Sequence, residues 1–405
     1  MLNIFYNCRS LTDVYCYAPE PPSVSTTDFE GSWDGYPFDQ NYIKEHTTLH
    51  VPASSLEKYK TALRWSDFWK IVALPIEINE TTFPDEYFRN WVLAQPYGQD
   101  GVLTDEEIAG VTRIYLNIYG KIHSLKGIEY FTELTILGCT ANLLTELDVS
   151  KCTKLTHLEC DWNQLTALDV SKNTALTTLI CGANKLTTLD VSNNTALNEL
   201  HCFKNQLTEL DVSNNVELTN LNCHENQLTA LDLSNNTMLE DVWCSQNQLV
   251  TLNVSACAML RYLRCYENRL TMLDVSGCSA LKDLICMNNQ IKGEAMDALV
   301  ESLPTVGRGG SLGVINHVNE QNVMTKSQVA AAKAKGWYVY HYNDKNQWEN
   351  YEGSDDGTSI GEIKNEQITI KNAGYDIQGR KIAKPQKGIN IIRHADGTTR
   401  KVLVK

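Results

Sequence analysis

Between Leu134 and Gln290 the apolar and polar positions recur with a step of 21 residues and no slippage. In one copy Leu155, Leu158 and Cys160 are followed by Asn163, and then Leu165, Leu168 and Val170 by Asn173. Cys139, Cys160, Cys181, Cys202, Cys223, Cys244, Cys265 and Cys286 form one column. Asn142, Asn163, Asn184, Asn205, Asn226, Asn247, Asn268 and Asn289 form another. Within each half of the repeat, apolar residues alternate with polar ones, the period of an extended chain with one face buried. The pattern therefore predicts two extended segments per coil, stacked coil on coil into a solenoid. The Asn columns belong at the corners, where their amides can pair backbone groups that a buried turn would otherwise orphan.

Outside the array the pattern changes. Residues 52–63 predict a short helix with serine caps at its start and Leu56, Tyr59 and Leu63 on one face. Residues 31–40 are rich in Gly, Pro and Asp and read as an inserted loop. A second amphipathic helix is expected after Pro84, with apolar residues at 87, 88, 91 and 92. Residues 291–345 read as helix, strand, helix, strand: Met296, Leu299, Val300 and Leu303 share a face, and a capped helix from Thr325 ends in Gly336. Residues 348–358 are rich in Asp, Glu, Gly and Ser and read as a linker. The last segment alternates short strands with Gln-Gly, Lys-Gly and Asp-Gly turns. The divisions are 1–76, a partial array ending; 77–110, a helical cap; 111–290, the solenoid; 291–345, an α/β cap; 346–362, a linker; and 363–405, a small β module.

The order Leu, Leu, Cys, Asn, Leu at these spacings resembles the leucine-rich repeat, with Cys in a position usually held by Leu. The resemblance implies a β-rich solenoid with parallel strands in each coil, mixed α/β caps and a small C-terminal β-sandwich. Residues 1–76 resemble the ending of a BspA-like leucine-rich array: Phe5, Tyr6, Cys8, Leu11, Val14 and Cys16, then Val51-Pro52, Tyr59, Trp65 and Phe68. The Gln378-Gly379-Arg380-Lys381 and Pro385 to Ile389 elements resemble C-terminal sorting domains of proteins exported by type IX secretion in Bacteroidota. Together these resemblances imply an adhesin-like bacterial protein at the cell surface or outside the cell.

Charge narrows the class of partner. The formal net charge is −14, yet residues 363–405 carry ten Lys/Arg against three Asp/Glu. An acidic body argues against nucleic acid, whose binding needs Lys and Arg to replace counterions, and the basic tail reads as a separate attachment module. No apolar window is long enough to span a membrane, and no signal peptide is visible at the N-terminus. Eight of the thirteen cysteines occupy the inward column, and Cys152, Cys257 and Cys278 replace Asn in a second column. Packing thiols are the expectation, with disulfides or a metal site as the alternatives.

Candidate chemistry lies where the repeat does not repeat. His157, Glu159, Asp161, Trp162, His201, Phe203, His224, Glu225, Trp243, Tyr262, Arg264 and Tyr266 are expected to face outward from the concave strand face. Aromatic anchors among polar groups suit a protein or glycan partner, host-derived ones included. Eight strands about 4.8 Å apart give a face roughly 35–40 Å long. The alternative is that the rings only pack along the ladder. A structural spacer is the rival function. An enzyme is the remote one, since no nucleophile elbow, phosphate loop or HExxH motif accompanies the histidines. No cofactor is expected beyond a weak calcium candidate at Asp100 and Glu107, set against a plain helical cap. The outward column Asp148, Asp169, Asp190, Asp211, Asp232, Asn253 and Asp274, beside a Ser column, reads as hydrogen-bonded turns rather than a line of cation sites.

Overall fold

A computed structural model describes residues 8, 10–23, 40–116, 118–307, 309–318, 320–345 and 347–355, with strand backbones at 361–362, 373–375, 381–382, 388–393 and 399–404. The inserted loop, as far as residue 39, lies outside the described residues, as do Phe5 and Tyr6 of the N-terminal motif and the turn residues of the C-terminal module. The chain divides into two units, 1–207 and 208–405.

The first unit opens with a parallel three-stranded sheet, Asp13–Tyr15, Thr48–Val51 and Lys70–Ala73. Its core is Ile43, Leu49, Val51, Tyr59, Trp65 and Phe68. Tyr59 and Trp65 meet edge to face at 5.3 Å, a favoured ring geometry. Buried polar tips find acceptors: Trp65 Nε1 donates to the Pro22 carbonyl at 2.9 Å and Tyr59 OH to that of Ala18 at 2.8 Å. Two expectations fail here. The helix Leu56–Thr61 has no serine side-chain cap, because Ser55 Oγ is spent on the Pro19 carbonyl at 2.7 Å. Leu63 lies past the helix end and is 61% exposed.

Asp85 starts the helix Glu86–Leu93. Its Oδ1 accepts the Phe88 amide at 2.9 Å, while its Oδ2 accepts the amides of His123 and Ser124 at 2.8 and 3.2 Å. One carboxylate thus caps the helix and ties it to the first coil. Phe88 and Val92 turn inward and Tyr87 stays exposed. Phe83 packs on Phe88 and Phe131 at 5.6 and 6.5 Å. The coils then stack as parallel strands, Arg113–Tyr115, Ile136–Gly138, His157–Glu159, Thr178–Ile180 and Glu199–His201. Their register is one residue on one: Leu137 opposes Leu158, Leu158 opposes Leu179 and Leu179 opposes Leu200.

The second unit repeats the arrangement with Asn220–Asn222, Asp241–Trp243, Tyr262–Arg264 and Asp283–Ile285. Gly310–Asn316 and Trp337–Tyr342 extend the sheet in parallel, joined by the helices Glu294–Ser302 and Lys326–Ala334. A capping box between Thr325 and Gln328 opens the second of these helices. Residues 348–355 depart from the linker reading. Trp348–Asn350 is an antiparallel strand on Trp337–Tyr342, and Ser354 bonds back to Met324. The C-terminal strands form a five-stranded sheet among the described residues.

Each coil closes on its Asn. Asn163 Nδ2 donates to the carbonyls of Cys139 and Cys160 at 3.0 and 3.1 Å, and its Oδ1 accepts the Leu144 amide at 3.0 Å. The same set recurs at Asn184 and Asn268. The second extended half is less regular than its sequence. It forms strands only at Ala230–Asp232 and Thr251–Asn253 among the described residues, although its inward Leu and Val side chains are buried except for the half-buried Leu252.

Candidate functional site

The residue before each ladder Asn bends the chain into the strand corner. Ala141, Trp162, Ala183, Lys204, Glu225, Gln246, Glu267 and Asn288 all hold φ between 48° and 56°. That is the left-handed region, where a Cβ costs roughly 1–2 kcal/mol per residue. The coil geometry therefore fixes the direction of these side chains, a feature that the outward-facing pattern alone did not predict.

On the strands of the first unit, His157 and Glu159 flank the buried Leu158. His157 Nδ1 sits 2.8 Å from Thr156 Oγ1. Asp161 accepts from Thr140 Oγ1 at 2.6 Å. Trp162 is 53% exposed, with Lys204 Nζ 5.5 Å from its ring centroid. His201 Nε2 lies 3.1 Å from Glu199 Oε1. Phe203 has a floor: a Cβ at Gly182 would come within 2.4 Å of its ring, so the ring lies on bare backbone.

The second unit gathers more. The His224 ring stacks on Trp243 at 4.1 Å and 13°. The Arg264 guanidinium lies 5.9 Å from the centroids of both Trp243 and Tyr262. It also pairs with Asp241 at 3.3 Å. His224 Nδ1 meets Asn222 Oδ1 at 2.6 Å, and Nε2 lies 3.5 Å from Glu225 Oε1. Trp243 Nε1 donates to Ser245 Oγ. Ring packing along the ladder is thus real for His224 and Trp243, while Tyr262 remains 41% exposed. Tyr266, just before the corner residue Glu267, is half-buried.

The same face continues through residues that the sequence reading assigned only to the cap. In Trp337–Tyr342, Trp337 and Val339 are 1% exposed and Tyr338 is 50% exposed. Register places Asp283 opposite Ser311 and Ser311 opposite Tyr338. Trp348 covers Gly313, where a Cβ would come within 2.9 Å of its ring. The inward–outward alternation from Trp337 to Tyr342 was the available signal.

Electrostatics separates the faces. Burial pushes the Asp283 carboxyl above its ordinary range, the Arg264 charge pulls it down, and Asp241 pushes it up again. In the Asp column the opposite holds. Hydrogen bonds from the Ser150, Ser171, Ser213 and Ser276 side chains and amides hold Asp148, Asp169, Asp211 and Asp274 below the usual carboxylate value. These are turn-forming contacts: each Oδ1 accepts the Ser amide two residues on at 2.8–2.9 Å. Glu107 Oε2 accepts the Thr104 amide at 2.9 Å in a capping box, and Asp100 Oδ1 accepts the Val102 amide at 3.2 Å. Among the described residues, no group of three His, Cys, Asp or Glu is placed to hold a metal ion. The cysteines are free, and burial pushes Cys202 and Cys244 up to about 12. Cys152 and Cys257 donate weakly to the carbonyls of Ile128 and Leu233 at 3.5 Å, the bond that Asn173 makes to Val149 at 3.0 Å.

No family model and no curated protein matches the chain. Solved structures do. The functional domain of InlJ from Listeria monocytogenes, which includes a cysteine ladder, is 31% identical, with a TM-score of 0.51 over 67% of this chain and 62% of that one. Internalin C2 of the same organism is 21% identical, covering 54% of this chain and 96% of its own, at TM-score 0.45. A leucine-rich repeat protein of Leptospira interrogans is 19% identical, covering 75% and 81%, at 0.48. The chain thus spans 62% of the length of the InlJ domain. It is a leucine-rich repeat protein: a solenoid of parallel strands in which buried leucine and cysteine form the inner columns. No helix among the described residues is long and apolar enough to cross a membrane.

Proposed function

We propose that this is a non-enzymatic binding protein, displayed at a cell surface or secreted, whose outward strand face engages a macromolecular partner. One observation carries this reading. The rings and the arginine centred on Trp243, Arg264 and Tyr262 stand at positions where the repeat varies, beside strand residues that are buried leucine and cysteine. Rigid aromatic anchors beside arginine are what interfaces use for affinity. The BspA-like order of strand, Tyr59 helix and Trp65/Phe68 hook fits a bacterial surface protein. The basic C-terminal segment fits a type IX sorting or attachment module, as in Bacteroidota. A protein or a glycan, from a host or another cell, is the class of ligand.

The test replaces Trp162, Tyr262 and Tyr266 by Ala and compares binding on glycoprotein and glycan arrays with that of the parent. Loss of binding by a folded variant supports the reading. Unchanged binding by a folded variant sinks it, and a parent that binds nothing on either array favours a spacer that holds neighbouring domains apart.

A further inference from the structure

One notch on the strand face of the second unit lies between a carboxylate and an aromatic ring. By register Ser311 stands between Asp283 on one neighbouring strand and Tyr338 on the other. Neighbouring strands are about 4.8 Å apart, so a carboxylate and a ring flank a side chain of only one hydroxyl. The next outward position on that strand is closed, because Trp348 covers Gly313. Ser311 itself is half-buried, and Tyr338 beside it is 50% exposed.

The charge at this notch is unbalanced. Asp241, Tyr262 and Asp283 form one row, and Arg264 projects from the middle strand. Arg264 is committed to Asp241 at 3.3 Å and lies over Trp243 and Tyr262. One guanidinium thus stands between two carboxylates and pairs with Asp241. Asp283 receives no salt bridge, and its Oδ1 is enclosed with no hydrogen-bond partner among the described residues. A half-buried carboxylate in this position is costly until a cation reaches it. The corner residues Glu225 and Glu267 add further negative charge to the same face.

We propose that the notch over Ser311 receives a lysine or arginine side chain of a protein partner, with Asp283 as its counter-charge and Tyr338 as the ring it lies against. This rests on the reading of the strand face as a binding face and names the chemistry of what it binds. A carboxylate on one flank and an aromatic face on the other suit a cationic side chain through a charge-assisted hydrogen bond and a cation–π contact. A neutral sugar would use the rings but not the unbalanced charge.

The test uses the full chain on an array of twelve-residue peptides. Each Lys- or Arg-bearing peptide is matched to the same peptide with norleucine or citrulline, and a glycan array is run alongside. The proposal expects the binders to carry Lys or Arg, with at least tenfold weaker binding for the neutral analogues. Asp283→Asn and Ser311→Tyr should each weaken binding at least tenfold, while Asp274→Asn, in the outward Asp column, should not. Parent-like binding by either notch variant overturns the proposal, as does selection of neutral or acidic peptides, or of glycans alone. If Tyr262→Ala abolishes binding while both notch variants bind normally, the strand face stands as the binding face and the notch assignment falls. If nothing on either array binds, or no variant changes binding, both readings fall. Thermal unfolding of each variant separates loss of contact from loss of fold.

Discussion

At the scale of single residues, this chain sets two demands against each other at every coil. The ladder Asn must reach both its own coil and the preceding one, and the residue before it must then enter the left-handed region. Asn205 shows the first demand: its Nδ2 bonds the carbonyls of Cys181 and Cys202 at 3.1 Å each, and its Oδ1 takes the Leu186 amide at 2.9 Å. Asn205→Ala would leave these groups buried without partners and should cost roughly 2–4 kcal/mol in urea unfolding. Ala183 shows the second demand, with φ at 48°. Ala183→Gly should stabilise by about 1 kcal/mol, because relief of the Cβ clash exceeds the added chain entropy. A destabilised Ala183→Gly protein would contradict the strain argument. The Asn column was legible from its spacing. The strain was not, because residues as different as Trp162, Lys204 and Glu225 occupy the strained position.

At the scale of elements, strands were easier to read than ends. Alternation of Leu and Cys with variable residues located the strand in the first half of each regular coil, where the inward Leu, Val and Cys side chains are no more than 2% exposed. Helix ends depend on which partner a polar side chain chooses, and sequence does not reveal that choice. Ser55 prefers the Pro19 carbonyl to its own helix, while Asp85 caps a helix that Pro84 was expected to open. Residues 348–350 were hidden by their polar composition, and what makes them a strand is the edge of Trp337–Tyr342. The Asp column gives a prediction at this scale. Its carboxyls are held below their ordinary value in the folded chain, so their stabilisation is full above the unfolded value and is lost as pH falls through the lowered folded one. Urea midpoints should therefore drop between about pH 5 and pH 3. Asp148→Asn, Asp211→Asn and Asp274→Asn together should flatten that drop. An equally steep acid limb in the triple variant would show that these turns are not its source.

At the scale of the whole molecule, the repeat divides labour between constancy and variation. The invariant columns build the coil and carry no information about a ligand, and the variable ones stand on a surface made rigid by them. The candidate site was therefore legible as a set of positions, down to Trp243, Arg264 and Tyr262. Its geometry was not. Whether two rings on adjacent strands stack or stand free depends on side-chain rotation, and His224 folds onto Trp243 at 4.1 Å while Tyr262 stays exposed. The tyrosines from Tyr338 to Tyr342 joined the face only once register placed their strand beside Gly310–Asn316. The most direct test of the central claim is calorimetric titration of the tightest array ligand against three proteins: the parent, a Trp162→Ala/Tyr262→Ala variant, and a Lys172→Ala control outside the strand face. Binding at least tenfold weaker in the double variant and unchanged in the control is the predicted result, and equal affinity in all three would contradict it.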